Sequence, residues 1–208
     1  GPLHVGHCRG AIIGDVLSNL LAFNGNIVTR EYYVNDYGGQ IKNFVNSVYL
    51  RILEILEKKE FIKSEDLYPG EYIIEISKKI IKEGKIKNFV KKEDIFKELS
   101  KESLKFSMEL IKNNLKLLGI KHDSFIYESE LIKKEIVIKA VNKLKKSNYV
   151  YIGKINAPKS DDSGKWIPRE QLLFKSTEFG DDTDRALQKE DKSWTYFAGD
   201  IGYHKNKI

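Results

Sequence analysis

The chain has 208 residues, 41% hydrophobic and 32% charged, with a formal net charge of +6 and one cysteine. This is the balance of a soluble globular protein of one large or two small domains, which excludes collagen-like, low-complexity and disordered classes. Cys8 alone excludes a disulfide framework and any zinc site built from cysteine pairs. The 36 Lys and Arg are interspersed with 30 Asp and Glu, a mild basic excess that suits a protein meeting phosphates or nucleic acid without proving it. Asp15 interrupts the best apolar run, residues 11–23, so no membrane span is expected. The first residues lack the charged-then-apolar order of a signal peptide, which makes a reducing cytoplasm the expected compartment.

In chain order, Ile13, Val16, Leu17, Leu20 and Leu21 fall on one face of an amphipathic helix over residues 7–24. Asn24-Gly25 is its stop, with a left-handed glycine just past the last turn. Residues 27–34, rich in β-branched and aromatic side chains, read as a strand; residues 35–39 (Asn-Asp-Tyr-Gly-Gly) as a turn; and residues 41–57 as a second helix. A polar connection follows over 58–67 and another helix over 71–82. Leu104, Met108, Ile111, Leu115 and Leu118 make an unbroken 4-3-4-3 stripe ended by Gly119. Residues 124–127 read as a short strand, 129–146 as one helix with Ile132, Ile136, Ala140 and Leu144 in register, and 149–155 as a strand. A polar loop at 157–165, a strand at 172–175 and a short strand at 194–197 leading into a final helix complete the pattern. Strand-helix alternation in the first part predicts an α/β fold with a parallel sheet, and the nearly all-helical stretch from about 58 to 116 reads as an insertion.

Several residues carry possible chemistry. His4-Val5-Gly6-His7 stands immediately before the first helix. Backbone N–H groups and the positive helix end favour an anion there, usually phosphate. Gly6 allows close approach, and two imidazoles three residues apart can both donate to phosphate oxygens; the alternative is two surface histidines. Asp181, Asp182 and Asp184 are either a cation site or a salt-bridged loop beside Arg185, and the missing calcium-loop spacing favours the loop. Cys8 reads as a small helix residue. Glu128 precedes a helix, where the dipole favours a carboxylate. Asp200 is expected at the C-terminal end of a strand, beyond which open α/β sheets bind ligands. From the residues alone, this is a nucleotide-binding α/β piece of an enzyme.

Several segments together resemble the arginyl-tRNA synthetases of class I. Residues 1–7, Gly-Pro-Leu-His-Val-Gly-His, resemble the HIGH signature with its lead-in, so the opening Gly-Pro-Leu reads as native sequence rather than a cleavage scar. Residues 33–40 (Tyr-Val-Asn-Asp-Tyr-Gly-Gly-Gln) resemble the family's Asn-Asp-x-Gly-x-Gln block. Residues 176–185 and 195–204 resemble two further blocks, which are specific to the arginyl type. The resemblance spans nearly the whole chain in the right order.

That resemblance implies a Rossmann-like (HUP-type) parallel-sheet core over about 1–57 and 117–208, with the helical insertion at about 58–116. It implies formation of arginyl-adenylate from ATP and arginine, then transfer of the arginyl group to the terminal ribose of tRNA. His4 and His7 are then the catalytic pair, with His4, Gly6 and His7 on the ATP phosphates. Glu128, Tyr196 and Asp200 form the arginine pocket, in which the two carboxylates hold the guanidinium, and Asn35, Asp36 and Gln40 support it. ATP with Mg²⁺ is a substrate and no tightly bound cofactor is expected. The expected partners are tRNA, L-arginine and ATP, not a membrane, and the expected state is a monomer. The Asp181 cluster becomes a family loop, with no resident metal expected. The second signature, KMSKS, and the anticodon-binding and N-terminal domains are absent from these 208 residues, so weak or no activity is expected of the chain in isolation. Two other readings remain: a small-metabolite nucleotidyltransferase using the same His-x-Gly-His turn, and a non-catalytic module that binds tRNA or a protein.

Overall fold

The computed structural model describes residues 1–58, 60–61, 64–89, 91–155 and 168–208. The expected loop at 157–165 lies outside the described residues. The chain divides into two compact units, Gly1–Ile126 and Tyr127–Ile208. Among the described residues no helix is long and apolar enough to cross a membrane.

The first unit opens with α1 (Val5–Phe23), followed by β1 (Glu31–Val34), α2 (Gly39–Glu57), α3 (Glu71–Glu83), α4 (Lys92–Leu117) and β2 (Ser124–Tyr127). The stop read at Asn24-Gly25 is present. Gly25 sits at φ 84° and donates to Ala22 O, while Asn26 N donates to Leu21 O, the paired bonds that close a helix through a left-handed residue. Gly119, at φ 75°, closes α4 in the same way. β1 and β2 form a two-stranded sheet. The carbonyl of Arg30 accepts from the N–H groups of Asp123 and Ser124, so both strands start side by side and run parallel.

The core of this unit lies among α2, α3 and α4. Val45, Val48 and Ile52 repeat at helical spacing on α2 and are fully buried against Ile73, Ile80 and Leu99. Buried hydroxyls are satisfied within it: Ser77 Oγ reaches Ile73 O and Val48 O, and Tyr49 OH donates to Phe89 O at 2.9 Å. The strand read at 27–34 contracts to its last four residues, and Ile27 is wholly exposed. The α1 stripe is the larger departure. The helix forms as read, but none of its residues is buried and its apolar face is open to solvent.

The second unit contains α5 (Glu128–Lys133), α6 (Ile136–Lys146), β3 (Val150–Gly153), β4 (Gln171–Phe174), a 3-10 turn at Ser176–Phe179, β5 (Arg185–Ala186) and α7 (Tyr196–Lys205). Its sheet is antiparallel in the order β3-β4-β5, with Val150 opposite Phe174. Among the described residues the parallel pairing expected from the sequence is therefore confined to β1 and β2. The single helix expected at 129–146 is two. Glu135 turns left-handed at φ 58° between α5 and α6, and no glycine or proline marks the break. The buried face shifts with it to Leu131, Val137, Ala140 and Val141. α6 packs on α7, with Val137, Val141, Val150, Leu187 and Ala198 as the shared core. Gly202 is buried there, and a Cβ on it would lie 2.8 Å from Val137 Cγ2 and 3.0 Å from Val137 Cα. The two helices cross at a distance only glycine allows.

Candidate functional site

In the first unit the site is built on the N-terminus of α1. His4 is the N-cap, with extended backbone at φ −101° and ψ 172°. Its Nδ1 accepts from Gly6 N at 3.1 Å and His7 N at 3.4 Å, satisfying two N–H groups a helix start leaves without partners. An Nδ1 that accepts leaves the proton of the neutral ring on Nε2, which is then available as a donor. The His4 ring stacks on that of His7 with centroids 3.6 Å apart. Gly6 suits this arrangement: a Cβ there would crowd the His4 ring, 3.0 Å from Cε1. The glycine thus serves the histidine as well as any ligand.

His7 lines two adjoining cavities within this unit. One, of about 440 Å³, is walled by Gly6, Gly10, Tyr32, Ile111, Leu115 and His122 among others. The other, of about 380 Å³, holds Asn35 and Gln40 together with Tyr33, Tyr68, Tyr72 and Ser107. The structure thus brings His7, Asn35 and Gln40 to one cavity and Gly6 and His7 to the other. His4 and Asp36 line neither cavity; His4 stacks on His7, which lines both. Gly38, at φ 90°, ends the turn after Asp36 and starts α2. Asn35 and Gln40 are held at the two ends of that turn.

Sequence reasoning missed the aromatic wall. Tyr32 lies edge-on to His122 with centroids 5.3 Å apart. Burial pushes the Tyr32 hydroxyl above the usual tyrosine range. Burial also pulls His122 below the usual histidine range, against Asp123 and Asp15. Burial, and then Tyr68, raises Tyr72. These residues sit in strand β1, before β2 and at the head of α3. The only sequence signal for them was the aromatic enrichment that also marks a strand.

The second unit carries the other predicted residues. Glu128 is the first residue of α5 and is buried. Tyr196 and Asp200 stand one turn apart on one face of α7, both exposed, and α5 packs against α7. Asp200 is therefore not at a strand end. Residues 194–197 supply only a bridge from Gln188 to Trp194; Thr195 then caps α7, its Oγ1 accepting from Ala198 N and donating to Ala186 O. A cap residue before an apolar run starts a helix, and the short apolar stretch reads either way from composition.

The acidic cluster is a salt-bridged loop. Arg185 holds Asp181 through Nε and Nη2, each at 2.6 Å, and Asp184 accepts from Tyr151 OH at 2.6 Å and from Thr177 N and Oγ1. Arg185 lowers Asp181 to about 2. Among the described residues no group of three His, Cys, Asp or Glu side chains is arranged to hold a metal ion.

The family model for the catalytic domain of tRNA synthetases class I (R) matches residues 1–208. An arginine–tRNA ligase of Pelagibacter ubique is 59% identical over the whole chain, which covers 36% of that relative, and one of Anaplasma marginale is 52% identical with the same coverage. The chain thus spans about a third of the length of the curated relatives it matches. A solved structure from Campylobacter jejuni, described as an arginyl tRNA synthetase, superposes over all of the chain and 42% of its own length, with TM-score 0.80 and 32% identity. Arginyl-tRNA synthetase from Plasmodium falciparum shares the fold at TM-score 0.54 and 20% identity.

Proposed function

The chain belongs to the class I tRNA synthetases (R), as part of their catalytic domain, and on that premise we propose that its parent protein ligates L-arginine to the tRNA that accepts it. A carboxylate oxygen of arginine attacks the α-phosphorus of ATP. The bond to the β-phosphate breaks, and pyrophosphate leaves with the electron pair. A terminal ribose hydroxyl then attacks the carbonyl carbon of arginyl-adenylate, loses its proton and displaces AMP. Mg²⁺ enters with ATP as part of the substrate. Such chemistry depends on positioning and charge stabilisation more than on covalent catalysis.

One observation carries this reading: a helix N-terminus capped by His4, with His7 stacked on it and facing the cavity that Asn35 and Gln40 share. Nε2 of His4 donates to an ATP phosphate oxygen, and His7 steadies the charge that grows on the α-phosphate. Glu128 and Asp200 take the guanidinium, whose planar fork of donors is best met by carboxylates, and Tyr196 lines the same pocket. Lysine offers no fork and is rejected. Asn35, Asp36 and Gln40 support the site. The catalytic core comprises about 1–57 and 117–208, with the helices of about 58–116 inserted. The setting is cytoplasmic, and the isolated chain is weakly active at most.

The test is arginine-dependent exchange of pyrophosphate into ATP by the full-length protein in the presence of tRNA, with lysine in parallel. Exchange with arginine alone supports the reading. Equal exchange with both amino acids leaves a nucleotide site without arginine selectivity, and exchange with neither removes the proposed activity.

A further inference from the structure

The hairpin over residues 187–195 leads straight into α7 and is joined rigidly to its start. Thr195 N donates to Leu187 O at 3.0 Å and Lys189 N to Ser193 O at 2.8 Å, and Gln188 pairs with Trp194. The tip turns through Lys192, left-handed at φ 63°. Thr195 closes the joint, since its Oγ1 donates to Ala186 O. The hairpin is therefore fixed relative to Tyr196, the first residue of α7. Side chains on a helix lean toward its N-terminus, which brings the Tyr196 ring to the hairpin, and Lys189 Nζ stands 6.0 Å from the ring centroid.

The Lys189 ammonium keeps its charge uncompensated. The two acidic residues that follow it are turned elsewhere: Glu190 is ion-paired with Arg169 at 3.0 Å, and Asp191 Oδ1 accepts from Ser193 N and Oγ. Among the described residues no carboxylate lies within ion-pair distance of Lys189, and about 6 Å is the outer limit of attraction to a ring face. Asp200, one turn further along α7, is exposed, Tyr196 is 53% exposed, and Lys189 is exposed on the other side of the ring. The order is anion, aromatic ring, cation. A ligand lying across the ring with a cation toward Asp200 meets Lys189 with an anion at its other end, and arginine carries a guanidinium and a carboxylate at opposite ends of a methylene chain. We propose that Lys189 binds the α-carboxylate of arginine and thereby selects the amino acid over guanidinium compounds that lack one. The inference rests on the placement of the guanidinium at Glu128 and Asp200 proposed above. Lysine suits the task because it is a point charge and not a two-pronged clamp, so one carboxylate oxygen is left to attack phosphorus.

The test is arginine-dependent exchange of pyrophosphate into ATP by the full-length protein with tRNA present, using agmatine, which is arginine without its carboxylate, as a competitor. Lys189→Gln is expected to raise the KM for arginine about tenfold, the effect of losing one hydrogen bond to a charged group, and to leave the inhibition constant of agmatine unchanged. Lys189→Arg is expected to restore most of the arginine affinity. An unchanged KM for arginine overturns the proposal. An equal rise for arginine and agmatine also overturns it, because the lysine then acts on the ring or the fold. A rise in the KM for tRNA alone overturns it too, because the anion is then a phosphate of the RNA. Asp200→Ala separates this inference from the pocket it rests on, since it is expected to weaken arginine and agmatine together. If it does so while Lys189→Gln weakens neither, only the role of Lys189 fails. If agmatine does not compete at the parent protein, or Asp200→Ala weakens neither ligand, the guanidinium is held elsewhere and the inference falls with the pocket.

Discussion

The imidazoles of His4 and His7 lie face to face, centroids 3.6 Å and planes 20° apart, while Nδ1 of the first accepts from the backbone N–H of the second. One side chain therefore does two things with two atoms. Nδ1 ties down the start of α1, and Nε2 is left free to donate. The structural and the chemical roles of the first histidine can be separated by substitution.

His4→Asn keeps a capping oxygen and removes the Nε2 donor, whereas His4→Ala removes both. Loss of an N-cap costs about 1 kcal/mol, so only the alanine variant is expected to lower the midpoint of denaturant unfolding. Both are expected to slow arginine-dependent exchange by about 100-fold, the usual effect of removing one preorganised donor. Full exchange by the asparagine variant reduces His4 to a cap.

Gly6→Ala places a methyl 3.0 Å from His4 Cε1, tighter than nearly all real contacts, so the imidazole must shift by a few tenths of an ångström against its cap and His7. Alanine favours the first turn of a helix over glycine by about 1 kcal/mol, which offsets the strained cap. Thermal stability is expected to hold while exchange falls. Unchanged exchange shows that the ring position at His4 is not what the reaction uses.

The sequence made the ends of helices legible where a residue type is needed for a backbone shape, as at Gly25 and Gly119. It made the α4 stripe legible at Met108, Ile111 and Leu115, where period and burial coincide, although Leu118 at its end is exposed. It misled at α1, where a periodic apolar face forms as read but is exposed. It misled again at Glu135, where a left-handed turn carries no glycine, and at residues 194–197, where four apolar-rich residues fit a strand as well as the cap and first turn of α7. Of the site, the histidine turn was visible because spacing and position before a helix agree. The wall of Tyr32, Tyr72 and His122 was hidden, because only packing brings those three residues to the cavities that His7 lines.

Acid should weaken the molecule through surface carboxylates held by cations. Lys105 and Lys85 hold Glu83 at about 2, below its ordinary 4.5, and Arg185 holds Asp181 at about 2, below 3.8. A carboxyl depressed by folding contributes stability above its unfolded value and loses it as pH falls through the folded one. The loss is therefore expected between about pH 4.5 and pH 2, and it is screened by salt because these pairs lie at the surface. Thermal midpoints of the parent and Glu83→Gln should separate above pH 4.5 and converge near pH 2. Parallel curves throughout show that Glu83 contributes nothing.

Gly202→Ala tests the crossing of α6 and α7. A methyl would meet Val137 Cγ2 at 2.8 Å and the backbone Cα at 3.0 Å, and the Cα cannot swing aside as a side chain can. Overpacking of this kind costs about 1–3 kcal/mol, against a gain of about 1 kcal/mol in helix propensity. A lower thermal midpoint is expected, together with weaker arginine binding, since α7 carries Tyr196 and Asp200. A raised midpoint shows that the helices part freely.

Asp200→Ala is the sharpest test of the arginine pocket, and the position of Asp200 in α7 makes it cleaner than a strand end would. The residue is exposed within a helix, where alanine is at least as favourable as aspartate, so stability should be unchanged or slightly higher. Any loss of binding can then be assigned to the carboxylate. Leaving a guanidinium donor pair unmatched costs about 1–3 kcal/mol, so calorimetric affinity of the full-length protein for a stable arginyl-adenylate analogue should fall tenfold to a hundredfold. Tyr196→Phe, one turn away on the same face, keeps the ring and should cost less. Affinity for the lysyl analogue should not change, because it never used the fork. If Asp200→Ala bound the arginyl analogue as tightly as the parent, the guanidinium would be held elsewhere, and the buried carboxylate of Glu128 would be the next position to substitute.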